Sequence, residues 1–309
     1  MLHVIKPGLQ STLQGAPRVG KRHYGLPYSG PADALSMTLA NRLVANTSDM
    51  TCLEITYGGF EAEVTAACAI AVTGAHDRIE ISGAPADAHA TLHLKAGDMV
   101  FIAPPRFGAR TYLAIHSGFK ANVAFGSTST YLPAGLGGHD GRALQAGDTI
   151  GANNQGSISE VLETPDHLRP VFSRGVALRT CHSAETALLP AHDQRALFQE
   201  TFIAGRQATR MGVTMAGNKL APSSDGMMKS APVFPGTIQC PPSGVPVLLL
   251  CDAQTTGGYP RIASVARCDQ HLLGQIRPGD SIQLLQRSAD AALRDYAEKL
   301  DLFRAWLSS

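Results

Sequence analysis

A chain of 309 residues is long enough to bury a large core and to form two domains. Its 26 basic and 25 acidic residues give a net charge of +1, and no Lys/Arg block occurs, so the electrostatic footprint of a nucleic-acid or anionic-membrane binder is missing. Cys52, Cys68, Cys181, Cys240, Cys251 and Cys268 are scattered through apolar runs without a Cys-x-x-Cys pair, and they read as reduced, buried small hydrophobes rather than a disulfide frame or zinc site.

In chain order, Met1–Gly8 predicts a short strand with a turn, too short and too polar for a signal peptide. No run of eighteen apolar residues follows, so the expectation is a soluble, cytoplasmic protein. Glycines and prolines punctuate residues 15–31 every few positions and mark a loop that offers Arg18, Tyr28, Ser29 and Asp33 as polar heads. Asp33 also suits the N-cap of a helix carrying Leu35, Leu39, Ala40, Leu43 and Val44 at helical spacing. From Thr51 to Ile150 the runs 52–57, 69–73, 78–81, 90–94, 99–102 and 111–116 predict short strands of a barrel or sandwich. A pattern of an apolar residue, two spacers and Gly-Asp recurs at Gly97-Asp98, Gly147-Asp148 and Gly279-Asp280, each predicting a tight turn that feeds a strand. Residues 152–170, with Asn153, Asn154, Gly156 and Ser157, read as a linker between two halves. Beyond it the pattern predicts strands at 171–179, 210–215 and 245–251 and a helix at 190–202. A tail helix from Ser288 carries Ala292, Leu293, Tyr296, Leu300, Phe303 and Leu307 at spacings of three and four. The fold class is mainly β with a few helices.

The densest chemistry lies in Asp252–Ala263, directly after the apolar run 245–251. Gly257 and Gly258 open the backbone to a ligand, Thr255 and Thr256 add hydroxyls, and Arg261 adds a forked donor, a combination suited to a carboxylate or oxyanion. A plain Gly-Gly turn between strands explains the glycines equally well. Other motifs fail on geometry. His89 and His93, four apart on an alternating strand, stand roughly 13 Å apart and cannot share a metal. Gly135-Leu136-Gly137-Gly138 lacks the following helix of a dinucleotide site. Met227-Met228-Lys229-Ser230 lacks the second flanking methionine of a biotinyl site and reads as a loop lysine. No metalloprotease, nucleophile-elbow or P-loop pattern is present.

Gln254-Thr255-Thr256-Gly257-Gly258-Tyr259-Pro260-Arg261-Ile262-Ala263 resembles the signature of the carboxyltransferase-related family that holds the C-type protein of 5-oxoprolinase, the second protein of allophanate hydrolase and the Kip-inhibitor antagonist. Similar segments occur at Ser29-Gly30 with Asp33, at 39–46, at Leu53-Glu54-Ile55-Thr56, at 128–138, at Arg210-Met211-Gly212 and at 235–239, so the resemblance spans nearly the whole chain. It implies two tandem cyclophilin-like β-barrels, expected at 1–165 and 166–287, with a C-terminal helix at 288–309. It also implies one member of a multi-subunit hydrolase that opens the lactam of 5-oxoproline to glutamate with ATP. The partners would be a B-type protein and a LamB/YcsF-like A-type protein of the same enzyme, and ATP would bind at the level of the complex, with no metal in this chain. Carboxyl transfer to urea or a related amide, and a regulatory module antagonising a kinase inhibitor, are the two alternatives. Gln254, Tyr259 and Arg261 are the catalytic candidates. Tyr28, Ser29, Asp33, Arg210, Gln239, Thr255, Thr256, Gly257 and Gly258 are the substrate-binding candidates, with Arg210 and Arg261 as anion clamps. Two departures stand out: relatives commonly carry an acid where this chain has Gly15, and a glutamate where it has Ala231.

Overall fold

The computed structural model describes residues 1–154, 156, 158–223 and 228–307; Ser157 of the expected linker and Met227 lie outside them. The chain divides into two compact units, Met1–Val19 with Ser29–Val171, and Gly20–Tyr28 with Phe172–Ser309. Mainly β-structure is what the alternation of short apolar runs and glycine turns dictates, and both units are built from it.

The first unit holds two sheets. One runs Thr149–Ile150, Leu2–Pro7, Phe60–Val64, Met99–Ile102, Ile79–Ile81 and Ala84–Pro85; the other runs Gln10–Gln14, Cys52–Thr56, Arg110–Ile115, Cys68–Gly74 and Thr91–Leu94. Alternation decides which face turns inward: Phe60, Ala62 and Val64 are fully buried, while Glu61 and Glu63 on the same strand point outward. Leu2, Val4, Leu53, Ile55, Ile70, Val72, Val100 and Leu113 join Phe60 in one core. The helix Ala34–Leu43 packs on the strands Cys68–Gly74 and Arg110–Ile115 and is capped as its sequence predicts. The Ser36 amide donates to Asp33 Oδ1 at 2.9 Å and the Ser36 hydroxyl to Asp33 Oδ2 at 2.6 Å. Such a cap contributes about 1 kcal/mol.

The three Gly-Asp turns share one geometry across both units. Gly97, Gly147 and Gly279 have φ of 89°, 92° and 88°, a left-handed conformation that suits glycine. Their amides donate at 2.8 Å to the Val64, Val4 and Ala204 carbonyls of a neighbouring strand. Each aspartate takes the amide three residues before it: Lys95 to Asp98 at 2.8 Å, Gln145 to Asp148 at 2.7 Å, and Arg277 to Asp280 at 2.8 Å.

The second unit is a closed barrel of seven strands: Gly175–His182, Arg261–Val265, Thr237–Gln239, Val247–Leu249, Gly212–Ala216, Thr201–Ala208 and Ser281–Arg287. The last strand closes on the first in parallel, Gly175 opposite Ser281 through Cys181 opposite Arg287. The interior is filled by Leu178, Phe202, Val213, Ile238, Leu248, Ile262 and Ile282.

Several boundaries differ from the expectation. The helix stops at Gln199, and Phe202 belongs to the strand Thr201–Ala208, where it fills the barrel instead of a helix face. Residues 158–170, in the expected linker, are tied to the first unit: Leu162 O accepts from Thr91 N at 2.9 Å and Thr164 N donates to His89 O at 2.8 Å. Conversely, Gly20–Tyr28, read as part of the first half, groups with the second unit. The tail helix Ala289–Leu307 also belongs to the second unit, where it lies on the 3-10 segment Arg267–Gln275. Lys299 Nζ donates to Cys268 O at 2.8 Å. Among the described residues of this helix only Phe303 is buried, while Leu293 and Leu300 are 67% and 50% exposed, so its apolar face is covered only in part. Among the described residues no helix is long and apolar enough to cross a membrane. All six cysteines are free thiols.

Candidate active site

The signature follows the barrel strand Val247–Leu249, and Asp252, two residues before it, is fixed by a buried ion pair. Arg210 Nε and Nη2 donate to Asp252 Oδ2 and Oδ1 at 2.7 and 3.2 Å, and the Asp252 amide donates to Arg210 O at 2.8 Å. The two side chains are only 6% and 4% exposed. The arginine expected to clamp an anion therefore spends its fork on the protein's own carboxylate.

Next comes a chain of amides. Gln254 Nε2 donates to Gln239 Oε1 at 3.2 Å, and Gln239 Nε2 donates to Tyr259 O at 3.2 Å. Gln239 is buried and Gln254 exposed, so the pair carries a carboxamide from the barrel wall to the surface. Thr256–Gly257 forms a two-stranded ladder with Ala231–Pro232, Ala231 opposite Gly257. The ladder explains the two glycines by space and not by backbone conformation, since neither has a positive φ. A Cβ on Gly257 would lie 2.6 Å from Gln239 Nε2, and one on Gly258 would lie 2.9 Å from Met228 O. The Gly258 carbonyl also accepts from Met228 N at 2.7 Å. The two glycines thus sit in a tight ladder packed on Gln239.

Arg261 is engaged within the protein as well. Its Nε donates to Glu185 Oε2 at 2.8 Å, its Nη2 donates to Glu185 Oε1, and its Nη1 donates to Pro232 O at 3.1 Å. The guanidinium hydrogen bonds hold the Glu185 carboxyl below the usual range, and the carboxylate in turn raises Arg261. The Ser183 and Thr186 hydroxyls donate to the carbonyls of Arg261 and Ile262, so the segment Ser183–Leu188 braces the exit strand from both side chain and backbone.

Arg22 supplies a second brace. Its Nη2 donates to Val233 O and, at 2.8 Å, to Thr255 O, and its guanidinium lies 4.9 Å from the Tyr28 ring centroid and 4.6 Å from that of Phe234. Tyr28 thus meets the signature through Arg22. Neither Arg22 nor Glu185 is among the expected site residues. The exposed side chains of the signature are those of Gln254, Thr256 and Tyr259, with Thr255 and Arg261 half-buried.

Ser29 and Asp33 belong to the first unit, where Asp33 sits in a buried polar network. The Ala32 amide and the Tyr112 hydroxyl donate to Glu54 Oε2 at 2.8 and 2.6 Å, the Asp33 amide donates to Tyr112 Oη at 2.8 Å, and Arg110 Nε lies 3.4 Å from Glu54 Oε1. Burial first, and then the Glu54 charge, push the Tyr112 hydroxyl far up. Asp33, fully buried, acts as the helix cap, and Ser29 is 3% exposed with φ 52°. Arg18, offered as a polar head, is also fully buried and donates to Ala124 O and Ser129 O at 3.0 and 2.7 Å.

The profile of the carboxyltransferase domain, subdomain A and B, matches residues 24–286. The chain belongs to this family. It is 32% identical over 308 residues to the C-type protein of 5-oxoprolinase from Escherichia coli (strain K12), covering 99% of this chain and 98% of that protein. Urea amidolyase of Saccharomyces cerevisiae is 30% identical over 320 residues, but the match spans only 17% of its length. The solved structure of the K. lactis urea amidolyase superposes with a TM-score of 0.92 at 26% identity, over 99% of this chain and 20% of that one. Both departures from the family pattern have a structural setting. A Cβ on Gly15 would lie 2.1 Å from Thr128 Oγ1, which is hydrogen-bonded to Thr51 Oγ1 at 2.7 Å, so a threonine pair fills the room an acid there would take. Ala231 stands opposite Gly257, which would put a glutamate at 231 beside the signature.

Proposed function

We propose that this chain is one member of a multi-subunit, ATP-dependent 5-oxoprolinase that opens the lactam of 5-oxoproline to glutamate. The observation that carries the reading is the end-to-end match to the C-type protein of 5-oxoprolinase, 99% of one chain on 98% of the other, whereas the urea enzymes match through a small part of their length. The site chemistry supports it. Gln254, Thr256 and Tyr259 offer neutral donors and acceptors, and a carboxamide matches the paired N–H and C=O of a lactam. Gln254 and Tyr259 orient the substrate amide, with Thr255 and Thr256 as further contacts. Arg210, Arg261 and Arg22 hold the loop that presents them. ATP, with the activation of the lactam carbonyl that it supplies, is assigned to two partner proteins, one B-type and one LamB/YcsF-like A-type, in the cytoplasm. The test is reconstitution. The purified chain alone should turn over no 5-oxoproline with ATP, and turnover should appear on adding both partners; robust activity of the isolated chain overturns the division of labour. Carboxyl transfer to urea is the second reading, favoured by the TM-score of 0.92 to a urea amidolyase. It predicts urea-dependent consumption of carboxybiotin supplied on a carrier protein, and no need for a LamB/YcsF-like partner.

A further inference from the structure

The arginines that meet the signature loop are not equally committed. Arg210 and Arg261 each give Nε and Nη2 to a carboxylate, that of Asp252 and that of Glu185. Arg22 gives nothing to a carboxylate among the described residues, and only its Nη2 is engaged, by the carbonyls of Val233 and Thr255. Its Nε and Nη1 have no partner among the described residues, and neither atom is enclosed by the protein, so both face solvent. The pKa shifts separate the arginines in the same way. Glu185 raises Arg261, whereas burial lowers Arg22, with Tyr28 as the smaller opposing influence.

Arg22 is also held in place. Its guanidinium lies against the rings of Tyr28 and Phe234, at 4.9 and 4.6 Å from their centroids, and its backbone forms a short 3-10 turn that ends on Gly25. All of these residues belong to the second unit. A half-buried cation without a counter-ion has lost part of its hydration for no return, and an anion at its open side supplies that return. The contact with Thr255 O sets this open side next to a residue flanked in the chain by the exposed Gln254 and Thr256.

We infer that Arg22 is the anion clamp of this site and binds the carboxylate of a lactam that carries one. The inference rests on the lactam reading above and deepens it. In 5-oxoproline the carboxylate stands on the carbon next to the ring nitrogen, so an amide oriented by Gln254 brings the carboxylate towards the neighbouring guanidinium. The clamp is a single charge-assisted contact, because Nη2, which both forked edges of a guanidinium share, is already taken.

Steady-state kinetics of the complex reconstituted with both partners tests it, with 2-pyrrolidinone, the same lactam without the carboxylate, as competitor. Arg22→Gln, whose amide can still donate to a loop carbonyl, should raise the KM for 5-oxoproline about 10- to 150-fold, the loss expected of a charge-assisted hydrogen bond. Its kcat should stay within about threefold of native, and inhibition by 2-pyrrolidinone and the KM for ATP within about twofold. Arg22→Lys keeps the charge and should fall between; it decides the matter if Arg22→Gln does not assemble, by a rise of at least about threefold in the KM for 5-oxoproline alone. An unchanged KM, a loss confined to kcat, or 2-pyrrolidinone weakened in step with 5-oxoproline leaves Arg22 a brace of the loop and overturns the clamp. A raised KM for ATP in place of that for 5-oxoproline assigns the cation to a phosphate and overturns it too. The native complex separates the two failures: if it turns over no 5-oxoproline, the lactam reading fails and takes the clamp with it, whereas native turnover with an unaltered Arg22→Gln removes the clamp alone.

Discussion

Two arginine–carboxylate pairs frame the signature of the barrel, and they differ in burial. Arg210 and Asp252 are 6% and 4% exposed, while Arg261 and Glu185 are 29% and 10% exposed. Both arginines have the charge and fork that suit an anion clamp, and both use the fork internally. The buried pair sits where the strand Val247–Leu249 hands over to the signature, and there a lone charge has no water to turn to. The more exposed pair sits on the exit strand, where solvent reaches the guanidinium and screening weakens the attraction. What separates a structural arginine from an available one is therefore not its motif but the exposure of the guanidinium in its pair, and the following substitutions are graded on that difference.

The largest effect belongs to the buried pair. Asp252→Ala leaves Arg210 buried without its carboxylate and should cost about 3–5 kcal/mol of stability. Chemical denaturation measures it; a loss below about 1 kcal/mol would place the two pairs in the same class and erase the contrast. Arg210→Met with Asp252→Leu should recover much of that loss, because replacing both partners removes the stranded charge.

Next in size is Gly257→Ala. The new methyl would start 2.6 Å from Gln239 Nε2, so the Gln239 amide must leave its contacts with Tyr259 O and Gln254. Overpacking of this kind costs typically about 1–3 kcal/mol. In a reconstituted complex the turnover should fall with it, because Gln254 loses its support. Unchanged turnover in a destabilised Gly257→Ala complex would detach the amide chain from the chemistry.

Arg261→Lys comes third. Lysine keeps the charge but loses the two-pronged contact with Glu185, at an expected cost of about 1 kcal/mol for a partly exposed pair. Glu185→Gln should match it in melting temperature and in turnover, because the two act as one brace. A substrate clamp behaves otherwise: Arg261→Lys alone would lower turnover about 10- to 150-fold with the melting temperature unmoved, the loss expected of a charge-assisted hydrogen bond.

Much of this architecture is legible in the residues. Met99–Ile102 and Arg110–Ile115 stand out because β-branched and aromatic residues sit between glycine turns, and Asp33 announces its cap three residues before Ser36. The repeated Gly-Asp turn is legible because its hydrogen bonds close within four residues. The site is less legible because its partners are remote. Arg22 meets Thr255 across 233 positions and Arg261 meets Glu185 across 76, and no local pattern carries such a pairing. Gly257 shows the same limit from the other side. Its sequence context suggests an unusual backbone, whereas its cause is the side chain of Gln239, eighteen positions away on another strand.

The smallest effect is a difference of sign, and it tests whether surroundings rather than motif decide here too. Asp148 and Asp280 occupy the same position of the same turn, in different units. Asp148 accepts both prongs of Arg142, at 2.7 and 2.8 Å, and the Gln145 amide; these contacts depress its pKa. Asp280 is 8% exposed, and its burial outweighs the Arg277 amide and raises its pKa. A depressed folded-state pKa contributes stability above the unfolded value, about 3.9 for aspartate, and loses it as the pH falls towards the folded value. A raised one contributes stability below about 3.9 and loses it as the pH rises through the folded value. Asp148→Asn should therefore lower the melting temperature at pH 6, with the deficit shrinking towards pH 3. Asp280→Asn should be neutral or stabilising at pH 6, and that advantage should fade towards pH 3, where the native side chain is itself protonated. The difference in melting temperature between each variant and the native protein, plotted against pH, should thus slope in opposite directions for the two. Parallel slopes would mean that the shared turn, and not the Arg142 fork or the burial of Asp280, sets the ionisation of both carboxylates.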